Sequence, residues 1–221
     1  MKIVATSDIH GQLPKISECD LYIIAGDVCP IICDQDLPRS TDWLRNKFMP
    51  YLRQVPAKDT VWIAGNHDFV LEHYPWITND LRRMGKGDGK AFYLQDEELW
   101  YSGVTIYGTP WTPHLPRWAF PAEGEKAEEI YKGIPDDLDI LISHGPPHGY
   151  SDRVSWAGHV GSDELLAVCK EKKPKRVICG HIHEGFGTYP ADWGTVYNVS
   201  HNNEYYEPVN APIEITVEPA Q

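Results

Sequence analysis

Asp8, His10, Asp27, Asn66, His67, His144, His181 and His183 are the residues whose types and spacing could do chemistry. They fall in five short motifs: Asp8-Ile9-His10, Gly26-Asp27, Gly65-Asn66-His67-Asp68, Ser143-His144-Gly145 and Gly180-His181-Ile182-His183. Carboxylate and amide oxygens and imidazole nitrogens bind hard or borderline divalent metals. Two such ions about 3.5–4 Å apart need a bridging carboxylate and several further ligands each. The motifs offer two aspartates, one asparagine and four histidines before His67 is counted. A neutral Asn beside histidines points to Mn, Fe, Zn or a similar ion rather than an oxygen-lined Mg or Ca cage. Taken singly, each residue has a commoner explanation: Asp8 as a solvated loop carboxylate, Gly65-Asn66 as a turn, any one histidine as a surface group. Five motifs in shared context reverse those odds.

The elements that must position these residues are short aliphatic runs. Lys2 to Ser7, Leu21 to Ala25, Thr60 to Ala64, Val104 to Tyr107, Asp139 to Ser143 and Arg176 to Cys179 read as buried strands, cut off by Gly, Pro or polar clusters. Each motif follows one of them, and in open α/β sheets ligand sites collect at the carboxyl ends of strands. Asp8 and His10 are two apart, so an extended chain would project them to one side, as it would His181 and His183. The glycines before Asp27, Asn66 and His181 permit tight turns or close backbone approach.

Between the strands, the apolar spacing predicts helices at Asp36 to Val55, Glu72 to Met84, Glu123 to Lys132 and Ser162 to Lys172, the last opened by Ser162 as N-cap. Phe92 to Leu94 and Leu99 to Ser102 read as a hairpin, and Thr195 to Val199 and Ile213 to Val217 as further strands. Lys86 to Lys90 reads as a flexible loop, and Gly108 to Pro121 as an irregular loop beside the site. The alternation predicts a layered α/β fold in one domain. Trp111, Trp118 and Tyr150 invite base stacking, with core packing the commoner role for such residues. Arg117 and Arg153 could clamp a phosphate, but solvent exposure is the usual state of arginine.

The chain has 221 residues and a formal net charge of -12 at pH 7. That balance argues against wrapping extended nucleic acid, which needs a basic surface, and favours a small anionic substrate. The five scattered cysteines do not read as a disulfide framework. No secretory signal or membrane span is visible, so the expected location is the cytoplasm. Oligomeric state is not legible.

The motif series resembles the calcineurin-like metallophosphoesterase family, whose pattern is D-x-H, GD, GNH followed by D or E, H, and GHxH. The resemblance runs from Asp8 to His183, roughly four-fifths of the chain. Ile142 to Pro147, Gly180 to Gly185, Gly108 to Trp111 and Pro208 to Ile213 are similar to the metallophosphoesterase-domain-containing branch. The resemblance implies a four-layer α/β/β/α sandwich of two mixed β-sheets with two divalent metals at one edge, manganese foremost and iron or zinc as alternatives. It assigns Asp8, His10 and His183 to the first metal, Asn66, His144 and His181 to the second, and Asp27 to a bridge. His67 would be the general acid, and a metal-bound hydroxide would attack phosphorus in line. The expected activity is a phosphodiesterase acting on small phosphodiesters, cyclic or related nucleotides among them. The alternatives are a phosphomonoesterase, an oligonucleotide nuclease or a non-catalytic metal-binding scaffold. Gly26-Asp27-Val28-Cys29-Pro30 lacks the acidic and arginine continuation of the protein-phosphatase branch, which tells against phosphoprotein substrates.

Overall fold

The computed structural model describes residues 1–84, 90–113 and 115–218. Strands β1 (Lys2–Thr6), β2 (Cys19–Ala25), β3 (Ala57–Ile63) and β4 (Lys90–Tyr93) lie parallel in one sheet, which β13 (Ile213–Thr216) closes by pairing antiparallel with β1. A second sheet runs in the order β11 (Gly187–Ala191), β12 (Gly194–Asn198), β10 (Arg176–Cys179), β7 (Ile140–Ser143), β6 (Val104–Thr109), β5 (Glu97–Tyr101). A small antiparallel ribbon joins β8 (Arg153–Val154) and β9 (Gly158–His159). Helices α1 (Leu37–Trp43), α2 (Met49–Leu52), α3 (Phe69–His73) and α4 (Pro75–Met84) precede β4; α5 (Gly124–Lys132) and α6 (Asp163–Lys172) follow β6.

Period-two alternation sets the layers. Ile3, Ala5, Leu21, Ile23, Val61 and Ile63 point to Ile106, Ile140, Ile142 and Ile178 of the second sheet. The intervening Val4, Tyr22, Ile24 and Trp62 pack beneath Leu44, Phe48, Val70 and Ile77 of the helical segments. On the far side, Leu141, Val177 and Val196 meet Ala127 and Tyr131 of α5 and Leu165 and Cys169 of α6. The central strands β1, β2, β7 and β10 are covered on both faces, which is why they are mostly apolar, while the edge strands β5, β11 and β13 alternate with exposed residues. The result is the four-layer α/β/β/α sandwich.

Several elements differ from the sequence expectation. The helix expected over Asp36 to Val55 is interrupted by a π-helical stretch, Leu44–Phe48. Pro50, which has no N–H to donate, sits just beyond it. The helix expected over Glu72 to Met84 breaks at Tyr74 (φ -119, ψ 72), because the residue before Pro75 is pushed out of helical geometry. The hairpin expected from Phe92 to Ser102 does not form. β4 stays in the first sheet beside β3, while β5 crosses to the second and pairs with β6. The true hairpin turns at Ser102-Gly103, both at positive φ (49 and 83), which suits the right-handed twist of paired strands. Ser162 caps α6 as expected, accepting from the Leu165 N–H at 3.0 Å. The Lys86 to Lys90 loop lies outside the described residues but for Lys90, the first residue of β4. All five cysteines are free and buried. Among the described residues, no helix is long and apolar enough to cross a membrane.

Candidate metal centre

β1, β2 and β3 of one sheet and β7 and β10 of the other end at a common edge, and each motif is the segment that leaves one of these strands. Backbone hydrogen bonds tie the segments together: the Asp8 N–H donates to Gly26 O, His10 N–H to Asp27 O and Gly180 N–H to His144 O, each at 3.0 Å. The buried Asp68 carboxylate accepts from the N–H groups of Gly65 (2.8 Å), Cys29 (2.9 Å) and Val28 (3.1 Å), binding the third motif to the second.

The ligand loops are not extended. Asp8, His10, Asp27 and His181 lie at φ 51, 41, 53 and 67. Left-handed backbone costs a non-glycine residue of the order of 1–3 kcal/mol and concentrates at functional sites. The side-by-side projection expected of an extended Asp8 to His10 segment therefore gives way to tight turns. These fold both side chains back over the sheet edge.

The donor atoms of Asp8, His10 and His183 lie within 4.8 Å of one another, as do those of Asp8, Asp27 and His144. Asp27 Oδ2 stands 3.4 Å from His144 Nε2 and 3.8 Å from His10 Nε2, so it faces a histidine of each group, while Asp8 belongs to both. Asn66 Oδ1 is 2.9 Å from His144 Nε2. The His181 ring lies 5.2 Å from that of His144. All seven expected ligands thus converge, His181 bringing its ring beside that of His144.

Outer contacts prepare the imidazoles to bind metal. His144 Nδ1 donates to Ala25 O (2.8 Å) and His183 Nδ1 to Asn203 O (2.7 Å), so Nε2 of each turns to the cluster. Ser200 Oγ (2.8 Å) and Ser7 Oγ donate to Asp8, and the His181 N–H reaches both of its oxygens at 3.0 Å. Both ring nitrogens of His10, and Nδ2 of Asn66, are buried with no hydrogen-bond partner. Orphaned nitrogens of this kind are costly unless something completes them. Together with the carboxylates they fit a pair of divalent cations.

Electrostatics mark the same residues. Burial would raise Asp27, but the imidazoles of His144, His67 and His10 hold it well below the usual carboxylate range. Burial pushes His10 down to about 4 and, with the nearby His144, His181 down to about 3, leaving both neutral with lone pairs free. His144 and His67 rise to about 9 because Asp27 outweighs their burial, aided at His67 by Asp34. Perturbed groups gathered in one cleft mark a functional site.

The cluster floors a cleft of about 260 Å³, with His67, His181 and His183 in its wall and Trp118, Trp156, Glu184, Glu204 and Tyr206 among its other lining residues. His67 directs Nδ1 to Asp34 Oδ2 at 2.7 Å. Among the aromatics marked by sequence, Trp118 meets the His181 ring edge-on at 5.0 Å. Trp111 instead donates Nε1–H to Asp96, and Tyr150 packs on Trp193; both are structural. Arg117 and Arg153 are exposed, and neither is among the lining residues of this cleft. Sequence reasoning missed Asp34, Trp156 and Tyr206, which carry no ligand spacing. Tyr206 packs edge-on against both His10 (5.1 Å) and His183 (5.2 Å). The available signal was the family-like Pro208 to Ile213 segment, just beyond Tyr206.

The family model for calcineurin-like phosphoesterases matches residues 1–185. The human metallophosphoesterase domain-containing protein 1 is 30% identical over 97% of this chain and 70% of its own length. A UPF0046 protein of Caenorhabditis elegans is 37% identical over 99% of this chain, which spans 61% of that relative. A solved Thermus thermophilus structure shares the fold at TM-score 0.59 and 16% identity, covering 91% of each chain. The chain therefore belongs to the calcineurin-like phosphoesterase family. Its class of activity is metal-dependent hydrolysis of phosphoric esters.

Proposed function

We propose that this protein is a binuclear phosphodiesterase that hydrolyses small phosphodiesters, cyclic nucleotides among them, with manganese as its cation. The observation that carries diester over monoester is the charge of the cleft. Among the described residues that line it there is no arginine or lysine, while Asp27, Glu184 and Glu204 are present. A phosphomonoester, with a second pKa near 6, is largely dianionic at neutral pH, whereas a diester carries one charge. An acidic rim disfavours the dianion more.

In this reading Asp8, His10 and His183 hold one cation, Asn66, His144 and His181 the other, and Asp27 both. When bound, the pair would supply Lewis-acid stabilisation of the phosphoryl oxygens and an acidified water as nucleophile. The protein's own part begins with His67. Its Nδ1–H is held by Asp34, which leaves Nε2 available to give a proton to the departing alkoxide. The His67 N–H also donates to Asp27 Oδ1 at 2.8 Å, so the proton donor and the shared carboxylate keep a fixed relation. The size of the cleft and the chain's charge of -12 support a small substrate over extended nucleic acid.

The test is manganese-supplemented hydrolysis of bis-p-nitrophenyl phosphate beside p-nitrophenyl phosphate, with a chelated control and Asp27→Asn. Metal-dependent cleavage preferring the diester is expected. Preference for the monoester would make the protein a phosphatase, and two bound metals without turnover would point to a binding role.

A further inference from the structure

We propose that Trp156 is a specificity-determining residue that selects phosphate esters bearing a nucleoside, by stacking its indole on the base. This rests on the phosphodiesterase reading above for the reaction, but not for the binding.

Trp156 is 77% exposed, yet it lines the same cleft as His67, His181 and His183. An indole is large and apolar and is normally well buried. Leaving one in water at the mouth of a reactive cleft adds nothing to the fold, whereas covering it with a ligand ring recovers the stabilisation.

The backbone that carries it is anchored. It stands at the tip of the ribbon in which Arg153 pairs with His159 and Val154 with Gly158. Such a short ribbon would not hold by itself. The fully buried Asp152 at its base secures it, accepting from the N–H groups of Gly149 and Gly161 at 2.9 Å each and facing His159 Nδ1 at 2.6 Å. The ribbon is coupled to the metal loop as well. Asn198 Nδ2 donates to Ile182 O at 2.9 Å and reaches Ser151 O at 3.5 Å, bridging the two segments. An anchored backbone spares the ligand the cost of ordering the loop, leaving only the indole's own rotamers to fix.

The remaining rim defines the ligand. Glu184 and Glu204 are exposed carboxylates that accept hydrogen bonds from hydroxyl or amino groups and repel further anionic charge. Beyond what the cations give the phosphate, the organic part of the substrate can add binding through a flat ring and hydrogen-bond donors; a nucleoside has both. The cleft of about 260 Å³ lies below the roughly 300–1,000 Å³ of pockets that enclose a larger ligand. The phosphate and sugar would fill it and the base would emerge at the mouth, where Trp156 stands.

The test is calorimetric binding of adenosine monophosphate and of inorganic phosphate to manganese-loaded wild type, Trp156→Ala and Trp156→Phe. Base stacking lost to alanine predicts affinity for the nucleotide about 5- to 100-fold weaker in Trp156→Ala, with phosphate binding unchanged and most of the nucleotide affinity kept in Trp156→Phe. Equal weakening for both ligands would assign Trp156 a structural role, and no weakening for the nucleotide would leave it idle; either overturns the proposal. So would a wild type that binds adenosine monophosphate no more tightly than phosphate. Trp156-dependent nucleotide binding by an enzyme that cleaves no diester would sink the phosphodiesterase reading and leave this site standing.

Discussion

His67 Nδ1 lies 2.7 Å from Asp34 Oδ2, a contact between the loop after β2 and the motif after β3. It settles which ring nitrogen faces the cleft, and it does so with a residue that no ligand pattern identifies. In the proposed mechanism His67→Ala lowers kcat about 10²- to 10⁴-fold for diesters with poor leaving groups, the usual range for a lost proton donor. Asp34→Ala costs less, because the imidazole remains but is no longer oriented. Both losses should shrink with a p-nitrophenolate leaving group, which departs without a proton. Equal losses for good and poor leaving groups would remove His67 from that role.

Asp27 faces a histidine of each ligand group, so in the proposed reading Asp27→Asn is expected to deplete both cations together. Elemental analysis of protein dialysed against buffer without metal reads this directly. Loss of one equivalent, with the other retained at wild-type occupancy, would mean that Asp27 serves a single cation.

Gly65 is required by close approach rather than by φ. A Cβ there would stand 2.5 Å from Asp27 N and 2.6 Å from His144 Cε1, and would overlap Asp27 Oδ1. Gly65→Ala should destabilise the protein by about 1–3 kcal/mol, the usual cost of overpacking, which lowers Tm by several degrees in a chain of this size, and should reduce metal content. Gly124→Ala is the control, because nothing lies within 4 Å of its Cβ although its φ is +56. A matching loss of metal in both variants would deny Gly65 its local role.

Asp152 gives a pH dependence. Burial would raise its pKa, but the His159 side chain and the N–H groups of Gly149 and Gly161 outweigh burial and lower it from 3.8. A carboxylate whose pKa is lower folded than unfolded adds stability above its unfolded pKa and loses it as pH falls. Asp152→Asn should therefore cost about 1–3 kcal/mol at pH 7, since it leaves buried donors unmatched. The gap to wild type should narrow as pH falls below 3.8. Urea denaturation at pH 7 and pH 2.5 measures both values, and a gap independent of pH would show that the charge of Asp152 is not what matters.

Much of the site was legible because metal ligation restricts residue type and places it at rigid positions. Asp8-Ile9-His10 and Gly180-His181-Ile182-His183 announce themselves locally, and the aliphatic runs before them mark strand ends. The pairing of β5 with β4 failed for a different reason. Phe92 to Leu94 and Leu99 to Ser102 have the local signature of a hairpin, yet nothing local says that the chain crosses from one sheet to the other between them. Asp96, in that crossing, accepts from Thr109 Oγ1 (2.7 Å) and Trp111 Nε1 (2.9 Å), partners 13 and 15 residues away.

The sequence by itself determined the candidate donor residues, the strands that carry them and the family, because ligand chemistry and period-two burial are both written in consecutive residues. Only the tertiary structure decided the left-handed turns at Asp8, His10, Asp27 and His181, the anchoring of His67 by Asp34, and the arrival of Trp156 and Tyr206 at the cleft. Those depend on which distant segments meet, as when Ser200 Oγ donates to an Asp8 carboxylate 192 residues earlier. Packing of that kind is decided by the collapse of the whole chain, and no local pattern records it.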